Sequence, residues 1–133
     1  MKSLKILLVE DDVSIAKSIA KLIERMSVHR VRFTDNPETI FELCTAGNVD
    51  IVIMDINLPG ASWLGEEVSG TDLSRLLKTK PATAHIPIVI LTAYAMANER
   101  ESLIVNSQAN ELLTKPIRDY NIFIEKLEQL TNN

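Results

Sequence analysis

Residues 51–60 read Ile51-Val52-Ile53-Met54-Asp55-Ile56-Asn57-Leu58-Pro59-Gly60. Four apolar residues run unbroken into one carboxylate, and a proline–glycine pair follows. A strand covered on both faces has this composition, because a parallel sheet lined by helices leaves it no solvent side. Its polar end residue then lies at the carboxyl edge of the sheet, and Pro59-Gly60 turns the chain away.

The same form recurs on either side. Ile6-Leu7-Leu8-Val9 runs into Glu10-Asp11-Asp12, Ile88-Val89-Ile90-Leu91 into Thr92, and a weaker Leu112-Leu113 into Thr114-Lys115-Pro116. A fifth segment, Val28 to Phe33, is half polar and reads as an edge strand. Helical spacing fills the intervals. Ile15, Ile19, Leu22, Ile23 and Met26 share one helix face. Asn36-Pro37 reads as a cap followed by proline at the first helical position. Ser69 and Asp72 form a capping-box pattern ahead of Leu73, Leu76 and Leu77. A helix is predicted around Ala95 to Val105, and Asp119 precedes a last one carrying Tyr120, Phe123, Ile124, Leu127 and Leu130. The string βαβαβαβαβα predicts an α/β fold, a parallel sheet with helices on both faces.

In such a sheet all carboxyl ends share one edge, where ligands bind. Asp11, Asp12, Asp55, Thr92 and Lys115 are therefore expected to converge. About three negative charges so close need a counterion. A hard cation with oxygen ligands answers that need, and Mg2+ takes carboxylates, waters and phosphate oxygens. Lys115 adds a mobile positive charge and Thr92 a hydroxyl. This set suits phosphoryl transfer onto a carboxylate.

These motifs carry a resemblance. The chain resembles a response-regulator receiver domain, like the stand-alone chemotaxis and cell-cycle receivers, over about Leu4 to Leu130. It rests on Leu7 to Asp12, Ile53 to Gly60, Ile90 to Ala93 and Leu113 to Pro116. The resemblance implies a flavodoxin-like doubly wound fold of five parallel strands, ordered 2-1-3-4-5, with residues 1–133 as one domain. It implies that Asp55 accepts a phosphoryl group from a sensor histidine kinase or phosphotransfer protein of a two-component phosphorelay. Asp12 and Asp55 would ligate Mg2+ directly, Asp11 through water, and the carbonyl of Asn57 would be a further ligand. Lys115 and Thr92 would contact the phosphoryl group, Lys115-Pro116 would be cis, and a downstream protein would read the change. Asn57 and Tyr94 resemble positions that tune hydrolysis.

Three features depart from the pattern. Leu112 stands where the family usually has a switch aromatic. The loop after Asp55 is long, with an insertion at about 61–69 that is expected to shield the phosphoryl group or to contact a partner. The glycine usual before the last strand is replaced in Ser107-Gln108-Ala109-Asn110.

The same residues admit other readings. Asp11 or Asp12 has an ordinary role as a helix cap, although a pair exceeds what a cap needs. A receiver-like interaction module that no longer uses phosphate is one alternative. A Mg2+-dependent phosphatase of the haloacid-dehalogenase kind is another, but Asn57 stands where those enzymes carry a second acid. Trp63 is expected to anchor its loop, Cys44 to pack, and His29 and His85 to lie at the surface.

Composition bounds the rest. The 133 residues carry a formal charge of −4 and one cysteine, which excludes a disulfide framework and a cysteine-based zinc site. No run of about 18 apolar residues exists, and no signal peptide is read. A lone thiol then points to a reducing cytoplasm. No basic run predicts direct contact with nucleic acid, and no membrane contact is expected. The chain reads as a signalling module that assists its own phosphorylation, not as an enzyme in the usual sense.

Overall fold

The computed structural model describes residues 2–93 and 97–132. Five strands, β1 (Lys5–Val9), β2 (Arg30–Thr34), β3 (Ile51–Asp55), β6 (Ile88–Thr92) and β7 (Glu111–Thr114), form one parallel sheet in the order β2-β1-β3-β6-β7. This is the 2-1-3-4-5 order of a flavodoxin-like fold, since β4 (Ser62–Trp63) and β5 (Glu66–Glu67) lie outside the sheet as a small antiparallel hairpin. The helices are α1 (Val13–Met26), α2 (Pro37–Thr45), α3 (Gly70–Thr79), α4 (Ala97–Ser107) and α5 (Tyr120–Thr131). Ala95 and Met96, at the start of the predicted fourth helix, lie outside the described residues, as does Tyr94.

Strand alternation builds two cores. Leu7, Val9, Val52, Met54, Ile88 and Ile90 face α2 and α3, where Ile40, Phe41, Leu73 and Leu77 close the layer. Ile6, Leu8, Ile51, Ile53, Val89 and Leu91 face α1 and α5, against Ala16, Ile19, Ile23, Phe123 and Leu127. Side chains of successive strand residues point to opposite faces, so an unbroken apolar run serves both layers. β2 is the half-polar edge that its arginines foretell.

The expected caps form. Asn36 accepts from the Thr39 N–H, Asp119 from the Ile122 N–H, and Ser69 and Asp72 complete a capping box. Hydrogen bonding from the Ser69 backbone, then from Arg75, holds Asp72 below the ordinary carboxylate pKa. Cys44 is buried in the α2 layer, and burial pushes its thiol up to about 11, so it packs as a small apolar residue.

The insertion is ordered rather than a loose loop. Leu64 (φ 54) and Gly65 (φ 83) make a two-residue turn with both centres left-handed, the form that suits tight hairpins. Trp63 anchors it, its ring 4.3 Å from that of Phe41 on α2, with the Lys80 ammonium 5.2 Å from the Phe41 centroid. The Val68 N–H closes the loop onto the Ala61 carbonyl at 3.0 Å.

His85 is exposed as expected, but His29 is not: it is 1% exposed. Its Nδ1 accepts from the Leu4 N–H at 3.0 Å, which leaves the proton on Nε2, 2.7 Å from the Glu128 carboxylate. The ring thus ties the starts of β1 and β2 to α5. Its partners lie 25 and 99 residues away in sequence, so no local pattern betrays it. His29→Ala is expected to cost about 2–4 kcal/mol in urea unfolding, from a cavity and two orphaned polar groups. A surface histidine would cost under about 0.5 kcal/mol.

Candidate functional site

Asp55 is the last residue of β3, paired with Leu91 of β6, and is 9% exposed. Its Oδ1 accepts from the Asn57 N–H at 3.3 Å, which turns the loop back over the strand end. Gly70, the first residue of α3, donates its N–H to the Ile56 carbonyl at 2.9 Å and lies against the Asp55 backbone. A Cβ on Gly70 would stand 1.8 Å from the Asp55 carbonyl oxygen, so the helix approaches the end of β3 only because this residue has no side chain.

Glu10 follows β1 directly and is 4% exposed. One oxygen accepts from Lys115 Nζ at 2.6 Å and the other from the Asp12 N–H at 3.3 Å. Lys115 Nζ also lies 3.3 Å from Asp55 Oδ2. The ammonium is placed by β7, whose Thr114 pairs with Thr92, and by the Lys115 N–H donating to the Thr92 carbonyl at 2.7 Å. The following Lys115–Pro116 bond is cis. Burial pulls the Lys115 pKa down, but the Glu10 and Asp55 carboxylates outweigh it and hold the ammonium above its ordinary value.

Glu10, Asp11 and Asp55 each bring one carboxylate oxygen within 4.8 Å of the others. Partial burial and the neighbouring Glu10 push Asp11 above the usual carboxylate range, with Asp12 adding repulsion. Asp12 is placed differently from the expectation. Its Oδ1 accepts from the Ile15 N–H at 3.1 Å and caps α1, so the structure groups Glu10 rather than Asp12 with the other two acids. Glu10 is the site residue that the reading of the sequence passed over. The signal for it was present: it is the first residue beyond a buried strand, in the place that Asp55 holds for β3.

Thr92 ends β6, is buried, and lines a shallow cavity with Asn57, Ala93 and Glu99. Leu112, in place of an aromatic, is 1% exposed and packs in the α2–α3 layer. The link from β7 to α4 is made instead by Arg100, whose Nη2 donates to the Leu112 carbonyl at 3.1 Å. Trp63 is turned toward α2, whereas Glu67, Val68 and Ser69 share a shallow cavity with Asn57.

A doubly wound sheet with acids, a lysine and a hydroxyl at its carboxyl edge defines a class that the comparisons make specific. Residues 6–127 match the model of the response regulator receiver domain, and the chain belongs to that family. It is 30% identical over 112 residues to the polar-differentiation response regulator DivK of Brucella ovis, covering 84% of each chain. It is 32% identical over 130 residues to hybrid signal transduction histidine kinase M of Dictyostelium discoideum, covering 96% of this chain and 5% of that protein. Among solved structures, a Chloroflexus aurantiacus protein superposes with a TM-score of 0.81 at 23% identity, over 99% of this chain and 100% of the other. The receiver domain of a Pseudomonas aeruginosa sensor histidine kinase, with a magnesium ion coordinated in its active-site cleft, gives 0.78 at 22% identity over 99% and 100%. Among the described residues no helix is long and apolar enough to cross a membrane.

Proposed function

We propose that residues 1–133 act as one phosphoacceptor receiver, in which Asp55 takes a phosphoryl group from the phosphohistidine of a sensor kinase or phosphotransfer protein. The supporting observation is the meeting of Asp55, Glu10, Asp11 and Lys115 at one strand edge. An Asp55 carboxylate oxygen attacks phosphorus, the P–N bond breaks, and its electron pair returns to the donor imidazole. Lys115 holds the charge of the phosphoryl oxygens, and the Thr92 hydroxyl donates to one of them. Glu10, Asp11 and Asp55, with the Asn57 carbonyl, would hold a Mg2+ ion, which when bound neutralises the phosphoryl charge. The donor set fits that ion, since it is all oxygen and in excess of acid. A downstream protein reads the changed surface, and Arg100 is the contact through which β7 can move α4.

Asp11→Asn separates stability from binding. The folded-state pKa of Asp11 is raised, so its ionisation opposes folding as pH rises above its ordinary value of 3.8. Without metal at pH 7 the variant is expected to be more stable than the wild type by about 0.5 kcal/mol, the scale of an exposed charge contact. Millimolar Mg2+ is expected to raise the Tm of the wild type and to leave the variant unmoved. A Mg2+ response equal to that of the wild type would contradict the ligand set. The function itself is tested by incubation with a radiolabelled histidine kinase. Label passing to the wild type and not to Asp55→Asn is expected, and label retained by the variant would refute the assignment.

A further inference from the structure

We infer that Glu67, on the inserted hairpin, makes the acceptor site select phosphodonors by charge. It disfavours free, doubly anionic acyl phosphates and admits donors that carry a positive charge beside the phosphoryl group. This rests on the phosphoacceptor reading of Asp55. The first observation is where the hairpin points its acids. Ser62 pairs with Glu67 and Trp63 with Glu66. Directly opposed residues of an antiparallel pair share a face, and successive residues alternate. Trp63 lies against Phe41 of α2, so Glu66 shares the α2 face of the hairpin and Glu67 takes the other. There Glu67 lines the shallow cavity that also holds Asn57 and Asp72. The Asn57 N–H in turn donates to Asp55 Oδ1 at 3.3 Å.

The second observation is that this charge stands outside every ion pair around it. Asp72, the other acid of the cavity, is paired with Arg75 at 3.0 Å. Glu10 and Asp55 share the Lys115 ammonium. Among the described residues the Glu67 carboxylate forms no ion pair. Its backbone is nevertheless held in place, by the Leu64-Gly65 turn, by the Trp63–Phe41 contact and by the Val68 N–H bond to the Ala61 carbonyl. Folding has no use for the charge, since the side chain is exposed.

An unpaired carboxylate beside the acceptor acts on an arriving donor through its field, and the effect scales with the donor's net charge. Acetyl phosphate is a dianion at neutral pH. Phosphoramidate carries the same phosphoryl group beside an ammonium and is a monoanion. For charges separated by about a Debye length in low salt, reversing one carboxylate's sign changes the approach of a dianion about fourfold and that of a monoanion about twofold. Selection is therefore graded, and acetyl phosphate is slowed rather than excluded. The phosphohistidine of a protein, whose imidazole can hold a proton beside the phosphoryl group, falls on the favoured side.

Initial rates of phosphoryl gain on the full chain, read by intact-protein mass spectrometry at neutral pH and saturating Mg2+, test this with acetyl phosphate and phosphoramidate as probes. Glu67→Lys changes an exposed side chain and should keep the wild-type Tm. In low salt it should gain about fourfold with acetyl phosphate and about twofold with phosphoramidate, and both gains should vanish in about 0.5 M salt. Glu67→Gln should show about half of each gain on a logarithmic scale. Glu66→Lys makes the same change of net charge on the α2 face of the hairpin, and should alter the ratio of the two rates less. Unchanged rates in Glu67→Lys, equal gains with both donors, gains that survive salt, or a Glu66→Lys as effective as Glu67→Lys would each overturn the inference and leave Asp55 as the acceptor. No phosphoryl gain by any of these proteins from either donor would overturn the phosphoacceptor reading, and this inference with it.

Discussion

Gly70→Ala is expected to be the most damaging single methyl in the molecule. The added carbon would fall 1.8 Å from the Asp55 carbonyl oxygen, 2.8 Å from its carbon and 2.9 Å from the Ile56 Cα. All three are backbone atoms, so no side chain can swing aside. Overpacking a core costs about 1–3 kcal/mol where neighbours yield, and here the top of that range is expected. The Tm should fall by roughly 10 °C. Either α3 lifts from the sheet, breaking the Gly70 N–H bond to Ile56, or the end of β3 shifts and carries Asp55 with it. Phosphoryl acceptance should therefore slow along with the loss of stability. Gly60→Ala is the control. Gly60 has φ 77 with open space around the missing Cβ, so only left-handed backbone is penalised there, at about 1 kcal/mol. A Gly70→Ala protein with wild-type Tm would contradict the close approach of α3 to Asp55.

Lys115→Met is the second large effect. Glu10 is nearly buried, and its charge is balanced by the ammonium 2.6 Å away. Removing the ammonium leaves Glu10, Asp11 and Asp55 facing one another without a cation. Breaking a fully buried pair costs about 3–5 kcal/mol. Lys115 keeps part of its surface in water, so about 2 kcal/mol is expected, measured by urea unfolding in EDTA. Mg2+ should restore part of this, and should raise the Tm of the variant more than that of the wild type, because the competing cation is gone. Equal Mg2+ responses would contradict the view that Lys115 and a metal answer the same charge. The pH dependence has a definite sign. The folded-state pKa of Lys115 lies above its ordinary 10.5, so its contribution is full below that value and is lost as pH climbs through the folded one.

The fold and the site were legible to different depths, for physical reasons. Runs such as Ile51 to Met54 declare a strand covered on both sides, and alternation along the chain leaves little choice of topology. Asp55 and Thr92 are each the first polar group at the end of such a run, and Lys115 follows Thr114 at the end of another, so their meeting follows from strand direction. Glu10 obeys the same rule. It was missed because the adjacent Asp11-Asp12 pair offers a shorter path to a metal-site reading. Only backbone geometry separates the acid that caps α1 from those that face Asp55. His29 and Gly70 depend on partners remote in sequence or on a missing atom, and periodicity carries no trace of either. The hairpin hides for another reason: its strands are two residues each, below any period that a pattern can reveal.

The most direct measurement is intact-protein mass spectrometry after incubation with acetyl phosphate, with and without Mg2+, on the wild type and Asp55→Asn. The account predicts a Mg2+-dependent gain of one phosphoryl group in the wild type and none in the variant. A folded wild type that gains nothing, from acetyl phosphate or from a phosphorylated histidine kinase, would contradict it. The acid cluster and Lys115 would then serve a receiver-like module that binds its partners without phosphate.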